Sequence, residues 1–333
     1  MSEKKTRIGV IGCGHWGKNY VRLFSALPGV ELTAIADTDA VKRNAMAAAY
    51  PGIRAFASHA EMIASGLCDA VVVATIATTH ADVIGAALDA GLDVLAEKPF
   101  TLKTAEAVEL AERAVREARV LMVAHTFLFN SSVRQIKGYL ESGLIGEVYY
   151  AKARRTHLGL VRQDVNAVWD LAPHDVSMFL YLFGEKPEVV QAVGRKLHRS
   201  GREDAAFINL VFPSGIIANI CVSWADANKE RYLDISGSRA RVAFDDLNVQ
   251  EPIRIYHKGI TVESPVEPTF GEFKYLLRDG DIVSPKVPVK EPLRQLCEDF
   301  LAAVASRSIP LSDARFGAQV VEVLCRVEEA LRP

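Results

Sequence analysis

Residues 7–17 read Arg-Ile-Gly-Val-Ile-Gly-Cys-Gly-His-Trp-Gly, and no other stretch limits the fold of this chain so tightly. An apolar, strand-like segment enters Gly12-Cys13-Gly14-His15-Trp16-Gly17 and leaves as the helical stretch Lys18–Leu27. A strand turning at once into a helix needs a backbone free of Cβ clashes. Gly12 permits the tight turn, Gly14 lets backbone N–H groups approach a pyrophosphate, and Gly17 allows close packing of helix on strand. The helix N-terminus then faces the phosphates with its unpaired N–H groups. A second run, Val30–Ala36, ends in Asp37, 20 residues after Gly17. An acid there accepts hydrogen bonds from the adenosine ribose and repels a 2′-phosphate. Thr38 and Asp39 point the same way, toward NAD, while Lys42 and Arg43 keep NADP open as cations able to meet that phosphate.

The chain has 333 residues, 50% hydrophobic and 24% charged, enough for two domains with cores of their own. Its net charge of −2 argues against a nucleic-acid or anionic-membrane partner, which would call for a basic excess. Polar residues lead directly into the first strand and no apolar run reaches the roughly 18 residues of a membrane span, so a cytoplasmic location is expected. Five scattered cysteines (Cys13, Cys68, Cys221, Cys297, Cys325) lack metal-ligand spacing and read as reduced packing residues; no metal is expected.

Through residue 125, strand-like runs (Ile8–Ile11, Leu32–Ala36, Ala70–Ala74, Val94–Ala96, Val120–Ala124) alternate with helical stretches near Lys18–Leu27, Ala40–Tyr50, Thr79–Ala90 and Thr104–Glu117. Such alternation predicts a Rossmann-type, doubly wound parallel sheet. Thr101 and Thr104 are candidate caps for the last of these helices. After Asn130 the pattern changes: a helix over Ser131–Glu141, another from near Asp170, then β-rich runs at Val189–Leu197, Ala205–Phe212, Ile216–Trp224, Arg231–Gly237, Ala240–Phe244 and Ile253–His257. Pro213-Ser214-Gly215 marks a hairpin. The second domain, residues 126–333, is therefore expected to be an α/β unit on a mainly antiparallel open sheet of about six strands, with an uncovered face that predicts a homodimer or homotetramer. The tail, Pro292–Ser306 and Asp313–Leu331, has helical periodicity and is expected to pack back on the first domain.

Two groups of residues carry chemistry. Glu97-Lys98-Pro99 follows Val94–Ala96 at the carboxyl edge of a parallel strand, where open α/β sheets place their ligands. Lys98 there is either a solvated surface lysine or a group reaching a hydroxyl beside a nicotinamide, with Pro99 stiffening the turn that aims it. Trp169-Asp170-Leu171-Ala172-Pro173-His174-Asp175 precedes an apolar run; since proline is tolerated in a first turn, the helix is expected to begin near Asp170. Asp170 and His174, four apart, share one face. They are either an N-cap and a half-buried helical histidine or an acid/base pair, in which first-turn placement favours the neutral imidazole.

Together these residues resemble the Gfo/Idh/MocA family, the glucose–fructose oxidoreductase, inositol dehydrogenase and sugar-dehydrogenase group. The resemblance runs through Gly12–Gly17, Thr75 with His80, Gly91–Pro99, Phe129-Asn130 with Val133-Arg134, Gly143–Val148, Asp170 and His174, and the closing Pro292-Leu293, Phe300, Pro310 and Val320–Leu324. It implies hydride transfer between nicotinamide and a sugar carbon, with Lys98, Asp170 and His174 catalytic. His174 takes or returns the hydroxyl proton, and Lys98 orients the oxygen and stabilises its charge. It implies cofactor contacts from Gly12, Gly14, His15, Trp16, Gly17, Asp37, Thr75, His80, Glu97 and Lys98. It departs from the family where Ile76-Ala77 follow Thr75 in place of a proline, where Ser177 stands for a frequent Asp, and where Pro173 replaces a small residue.

A weaker likeness, to members acting on nucleotide-linked sugars, adds His125, Asn130, Asn166 and Trp169 to Lys98, Asp170 and His174 as substrate contacts, and Arg155 joins them from the basic run that follows. Lys152, Arg154, Arg155 and Arg162 form a basic cluster that either meets a diphosphate or is a solvated strand and loop. Trp169 either packs on a sugar ring or anchors its helix. The expected activity is that of an NAD(P)-dependent dehydrogenase or ketoreductase on a sugar, with a nucleotide-linked sugar as substrate. A free polyol or inositol dehydrogenase, or a non-catalytic dinucleotide-binding regulator, is the alternative; a regulator has no need of Lys98, Asp170 and His174 together.

Overall fold

The computed structural model describes residues 5–159, 161–197, 201–263 and 274–332. It divides into two compact units, Met1–Phe129 with Glu291–Cys325, and Asn130–Lys290 with Arg326–Pro333.

The first unit is built on six parallel strands in the order β3-β2-β1-β4-β5-β6. These are β1 (Thr6–Ile11), β2 (Val30–Ala36), β3 (Arg54–Phe56), β4 (Ala70–Val73), β5 (Asp93–Ala96) and β6 (Leu121–Val123). The helices between them are α1 (His15–Ala26), α2 (Ala40–Ala49), α3 (His59–Ala64), α4 (His80–Asp89) and α5 (Thr104–Arg116). The strand order reverses between β1 and β4, which is the switch point where such sheets bind ligands. Ile8, Val10, Val71, Val72 and Val94 are fully buried, because a parallel sheet covered on both faces loses the polar–apolar alternation. The β3–α3 segment lay outside the sequence reading: β3 is three residues and half exposed, and α3 is six residues started by Ser58, whose hydroxyl accepts from the Glu61 N–H. The proposed threonine caps of α5 are not seen. Lys103 holds the cap position with no side-chain bond, and the Thr101 hydroxyl donates to the Lys103 carbonyl at 2.8 Å. The tail supplies α8 (Pro292–Ser306) and α9 (Ala314–Ala330). Within this unit the Ser312 hydroxyl donates to the Val123 carbonyl at 2.6 Å, beside a bridge between Met122 and Asp313. Leu296, Cys297 and Phe300 of α8 are wholly buried.

The second unit carries α6 (Ser131–Glu141), α7 (Ala167–Phe183) and strands β7 (Val148–Leu158), β8 (Val189–Arg195), β9 (Ala205–Val211), β10 (Ile217–Ser223), β11 (Ala225–Gly237), β12 (Arg241–Asp245), β13 (Ile253–Tyr256), β14 (Gly259–Glu263), β15 (Lys274–Arg278) and β16 (Ile282–Val283). Eight strands form the order β16-β13-β12-β11-β7-β10-β9-β8, antiparallel throughout except where β10 runs parallel to β7. The hairpin at Pro213-Ser214-Gly215 joins β9 to β10, with Gly215 at φ +87°. Ala206, Ile208, Leu210, Ala218, Ile220 and Val222 point inward, whereas Phe207 and Ile217 on the other face are more than half exposed. This is the alternation of a sheet covered on one side, with α7 packing on β7, β9 and β10. No helix among the described residues is long and apolar enough to cross a membrane.

Candidate active site

The glycine turn fits a dinucleotide. Gly12 sits at φ +98°, and a Cβ there would strike the carbonyl of Ala74, while one on Gly17 would collide with the Gly12 carbonyl. Gly14 differs: a Cβ would meet nothing within 4 Å, so open space lies over it. Gly14 also caps α1 without any side-chain hydrogen bond, so no cap side chain competes for the first-turn N–H groups. An uncapped 12-residue helix opening beside clear space is what a pyrophosphate needs. His15 and Trp16 begin this helix, exposed, with ring centroids 5.5 Å apart edge to face. Asp37 follows β2; its carboxylate accepts the Cys13 N–H at 2.7 Å and the Asp39 N–H at 2.8 Å, which aims it at the same turn. The two cations that kept NADP open are both engaged: Lys42 pairs with Asp39 at 3.2 Å, and the Arg43 guanidinium donates to the Asp37 carbonyl at 2.6 Å.

Lys98 follows β5 and is 8% exposed, so it is not a solvated surface lysine. The turn carrying it is held from several sides. Glu97, 4% exposed, accepts the Tyr20 hydroxyl at 2.7 Å on Oε1 and the Lys98 N–H at 3.0 Å on Oε2. His80 is buried, its Nδ1 2.8 Å from the Pro99 carbonyl and its Nε2 3.2 Å from that of Thr75. His80 thus stands between two loops at the carboxyl edge of the sheet, and in the neutral form its single ring N–H donates to one of these two carbonyls. The Thr75 hydroxyl accepts from Thr79 at 2.9 Å. His125, just beyond β6, is 1% exposed and meets Phe316 edge to face at 5.7 Å. Neither of its ring nitrogens has a hydrogen-bond partner among the described residues. Burial, and then the charge of Lys98, push its pKa down to about 3, so the ring is neutral at physiological pH.

In the second unit, α7 begins at Ala167 and not near Asp170. Asn166 caps it, its side-chain oxygen accepting the Trp169 N–H at 3.1 Å, and Pro173 lies inside the helix. The proline removes one hydrogen bond and costs about 3 kcal/mol in a helix interior. Thirteen of the seventeen residues are buried, among them Leu171, Val176, Met178 and Phe179, each contributing roughly 1.5–3 kcal/mol. Packing therefore outweighs the proline. Two consequences follow: Asp170 is not the cap, and His174 stands in the second turn, where the helix dipole acts on it more weakly than a first-turn placement would give. The shared face is as expected, since Asp170 and His174 are the first two of only four α7 residues that are not buried. The Asp170 carboxylate accepts the Trp224 indole N–H at 3.2 Å on one oxygen and the Arg162 guanidinium at 3.3 Å on the other. Trp224 was not singled out from sequence; it follows the apolar strand β10, and nothing local marks an indole as the partner of an acid 54 residues away. His157 lies in the same neighbourhood, its pKa lowered mainly by burial, with Asp170 opposing.

Several residues expected to meet substrate have partners within the fold. Arg155 forms a two-pronged, buried ion pair with Asp175, at 3.0 and 2.9 Å, so its fork is committed inside the fold. Asn166, besides capping α7, donates to Glu203 at 3.1 Å and Glu328 at 3.0 Å. Trp169 is 7% exposed and anchors its helix. Asn130 caps α6 through the Ser132 N–H and donates to Asp246 at 3.1 Å. The arginines of the basic cluster are likewise paired, Arg154 with Glu230 and Arg162 with Asp164 and Asp170, while the Lys152 ammonium lies over the Tyr150 ring at 4.9 Å. No group of three metal-ligating side chains occurs among the described residues.

The comparisons agree with this geometry. Residues 6–125 match the family model described as an oxidoreductase family with an NAD-binding Rossmann fold, and residues 133–243 match the Gfo/Idh/MocA C-terminal domain. The chain belongs to the Gfo/Idh/MocA family. It is 29% identical over 326 residues to UDP-N-acetylglucosamine 3-dehydrogenase of Acidithiobacillus ferrooxidans, covering 98% of this chain and 97% of that one. A solved structure of that enzyme superposes with a TM-score of 0.83 at 27% identity, covering 98% of each chain. A myo-inositol 2-dehydrogenase of Thermotoga maritima is 27% identical over 74% of this chain and 76% of its own. The N-terminal part of this chain is thus an NAD-binding Rossmann domain of an oxidoreductase.

Proposed function

We propose that this protein is an NAD-dependent dehydrogenase or ketoreductase acting on a secondary alcohol of a nucleotide-linked sugar. The observation that carries the reading is the pair Asp170 and His174, left accessible on a helix otherwise buried, in a chain whose Lys98 ends a parallel strand of the dinucleotide-binding sheet. The full-length likeness to a dehydrogenase of a UDP-sugar supports the substrate class. The bound nicotinamide supplies the hydride acceptor or donor. Lys98 donates a hydrogen bond to the sugar oxygen and stabilises its developing negative charge; His174 takes the hydroxyl proton on oxidation and returns it on reduction. Asp170 favours the protonated imidazole that results.

A second reading, a free polyol or inositol dehydrogenase, is favoured by the ion pairing of Arg154, Arg155 and Arg162, which leaves that cluster unsuited to a diphosphate, and by the inositol dehydrogenase relative. Self-association as a homodimer or homotetramer is proposed through the open face of the eight-stranded sheet, where Leu158, Val193, Phe207 and Ile217 are more than half exposed. The free cysteines fit a cytoplasmic location. A panel of UDP-sugars, TDP-sugars and free polyols with NAD and NADP, followed by absorbance at 340 nm, tests the reading. Turnover of a nucleotide sugar supports it, turnover of free polyols alone selects the second reading, and no turnover in either direction overturns both.

A further inference from the structure

The phosphate-binding helix and the lysine turn meet at one buried hydrogen bond. Tyr20 lies on α1, wholly buried, stacked on Phe24 at 6.4 Å, and its hydroxyl reaches Glu97 across 77 residues of sequence. The phenol stays protonated, since burial and the nearby Glu97 carboxylate both hold its pKa well above the usual value, so it is the donor. Glu97 passes the constraint on through its other oxygen, which accepts the N–H of Lys98 itself. At 4% exposure Glu97 has little water to replace a lost donor. A hydrogen bond to a charged group is among the stronger ones a fold makes, so the phenol is a main anchor of this carboxylate. The turn therefore shifts when the phenol is removed.

We propose that Tyr20 is a positioning residue for Lys98, acting through Glu97, so that the helix at the dinucleotide phosphates and the lysine at the reacting oxygen share one rigid link. The proposal rests on the role given to Lys98 above. Because a displacement of about 1 Å can cost 10²-fold in rate, Tyr20→Phe is expected to lower kcat roughly 10- to 100-fold. The affinity for NADH should stay within about 3-fold, as no phosphate or ribose contact is touched.

Two measurements on the full chain test this. The first is hydrogen exchange of the peptide spanning 94–100: Tyr20→Phe should speed exchange at the Lys98 amide, leaving peptides of the second unit unchanged. Unchanged exchange overturns the proposal whether or not any sugar is turned over, so its failure is separate from that of the assigned activity. The second is a double-mutant cycle on kcat with Glu97→Gln. Tyr20 acting through Glu97 predicts that the double variant is no slower than the slower single variant. Multiplicative losses, or a folded Tyr20→Phe with wild-type kcat, overturn it. Should Tyr20→Phe fail to fold, Glu97→Gln alone decides: it keeps the packing but weakens the acceptor, and unchanged exchange and kcat in that variant refute the link.

Discussion

Acid should weaken this protein through His125. The imidazole is buried, unpartnered among the described residues, and held at a pKa of about 3 by burial and by Lys98, against 6.5 for the free side chain. Between those values the unfolded chain binds a proton that the folded chain refuses, so stability is complete above roughly pH 6.5 and falls as pH drops toward about 3. From pH 7.5 to pH 5.0 the loss from this one residue comes to about 2 kcal/mol, because one pKa unit is worth about 1.4 kcal/mol and some 1.5 units are crossed. The variant His125→Gln keeps a polar side chain of similar size and does not titrate. Urea unfolding of both proteins at the two pH values, followed by circular dichroism, isolates the effect: wild type should lose about 2 kcal/mol more than the variant over this interval. Equal losses would refute the reasoning, whatever the stability of the variant at pH 7.5.

Asp170→Asn keeps an acceptor for Trp224 but removes the charge beside the acid/base helix, so kcat/KM for alcohol oxidation should fall roughly 10²–10⁴-fold and the His174 limb of its pH profile should move to lower pH; full activity with an unmoved limb would defeat the pair. Asp175→Asn removes the charge that faces the buried Arg155 guanidinium and should cost about 3–5 kcal/mol in denaturant unfolding, whereas the double change Arg155→Met, Asp175→Leu should recover most of it. NADH should bind more tightly than NADPH in fluorescence titrations, because Asp37 faces the position of the 2′-phosphate while Lys42 and Arg43 are engaged elsewhere; equal or tighter NADPH binding would sink that argument.

The first unit was legible because its signals are local. The glycines of the turn fall between residues 12 and 17, β1, β2 and β4 are short runs rich in Val, Ile and Ala, and the tail helix α8 begins at Pro292 and ends at Ser306, the limits its periodicity predicts; β3, Arg-Ala-Phe, has no such signal and went unread. In the second unit β7 went unread as a strand, although it lies at the centre of the sheet. Its inward positions are Ala151, Ala153 and Arg155, with Tyr150, Lys152 and Arg154 outside, so a buried arginine breaks the apolar alternation. The same arginine has a partner that the sequence does not disclose: that Arg155 meets Asp175 depends on how β7 and α7 pack, which no spacing reveals. Proline was over-weighted at α7, where an Asn cap and a deeply buried helix decided the start. The roles of Tyr20, Trp224 and His80 as long-range tethers were likewise out of reach, since each partner is defined only once strand order brings distant segments together. What spacing did disclose was the Asp170 and His174 face, because helical periodicity survives a start misplaced by three residues.

The most direct test of the assigned chemistry is transfer of the hydride itself. A nucleotide-linked sugar that the protein turns over, deuterated at every ring carbon, is incubated with the protein and NAD, and the reduced cofactor is weighed by mass spectrometry, with Lys98→Met and His174→Ala as paired controls. The account predicts reduced cofactor carrying one deuteron from the sugar, formed at a rate that drops roughly 10²–10⁴-fold in each control. Reduced cofactor without deuterium, or labelled cofactor formed at wild-type rate by either control, would contradict it.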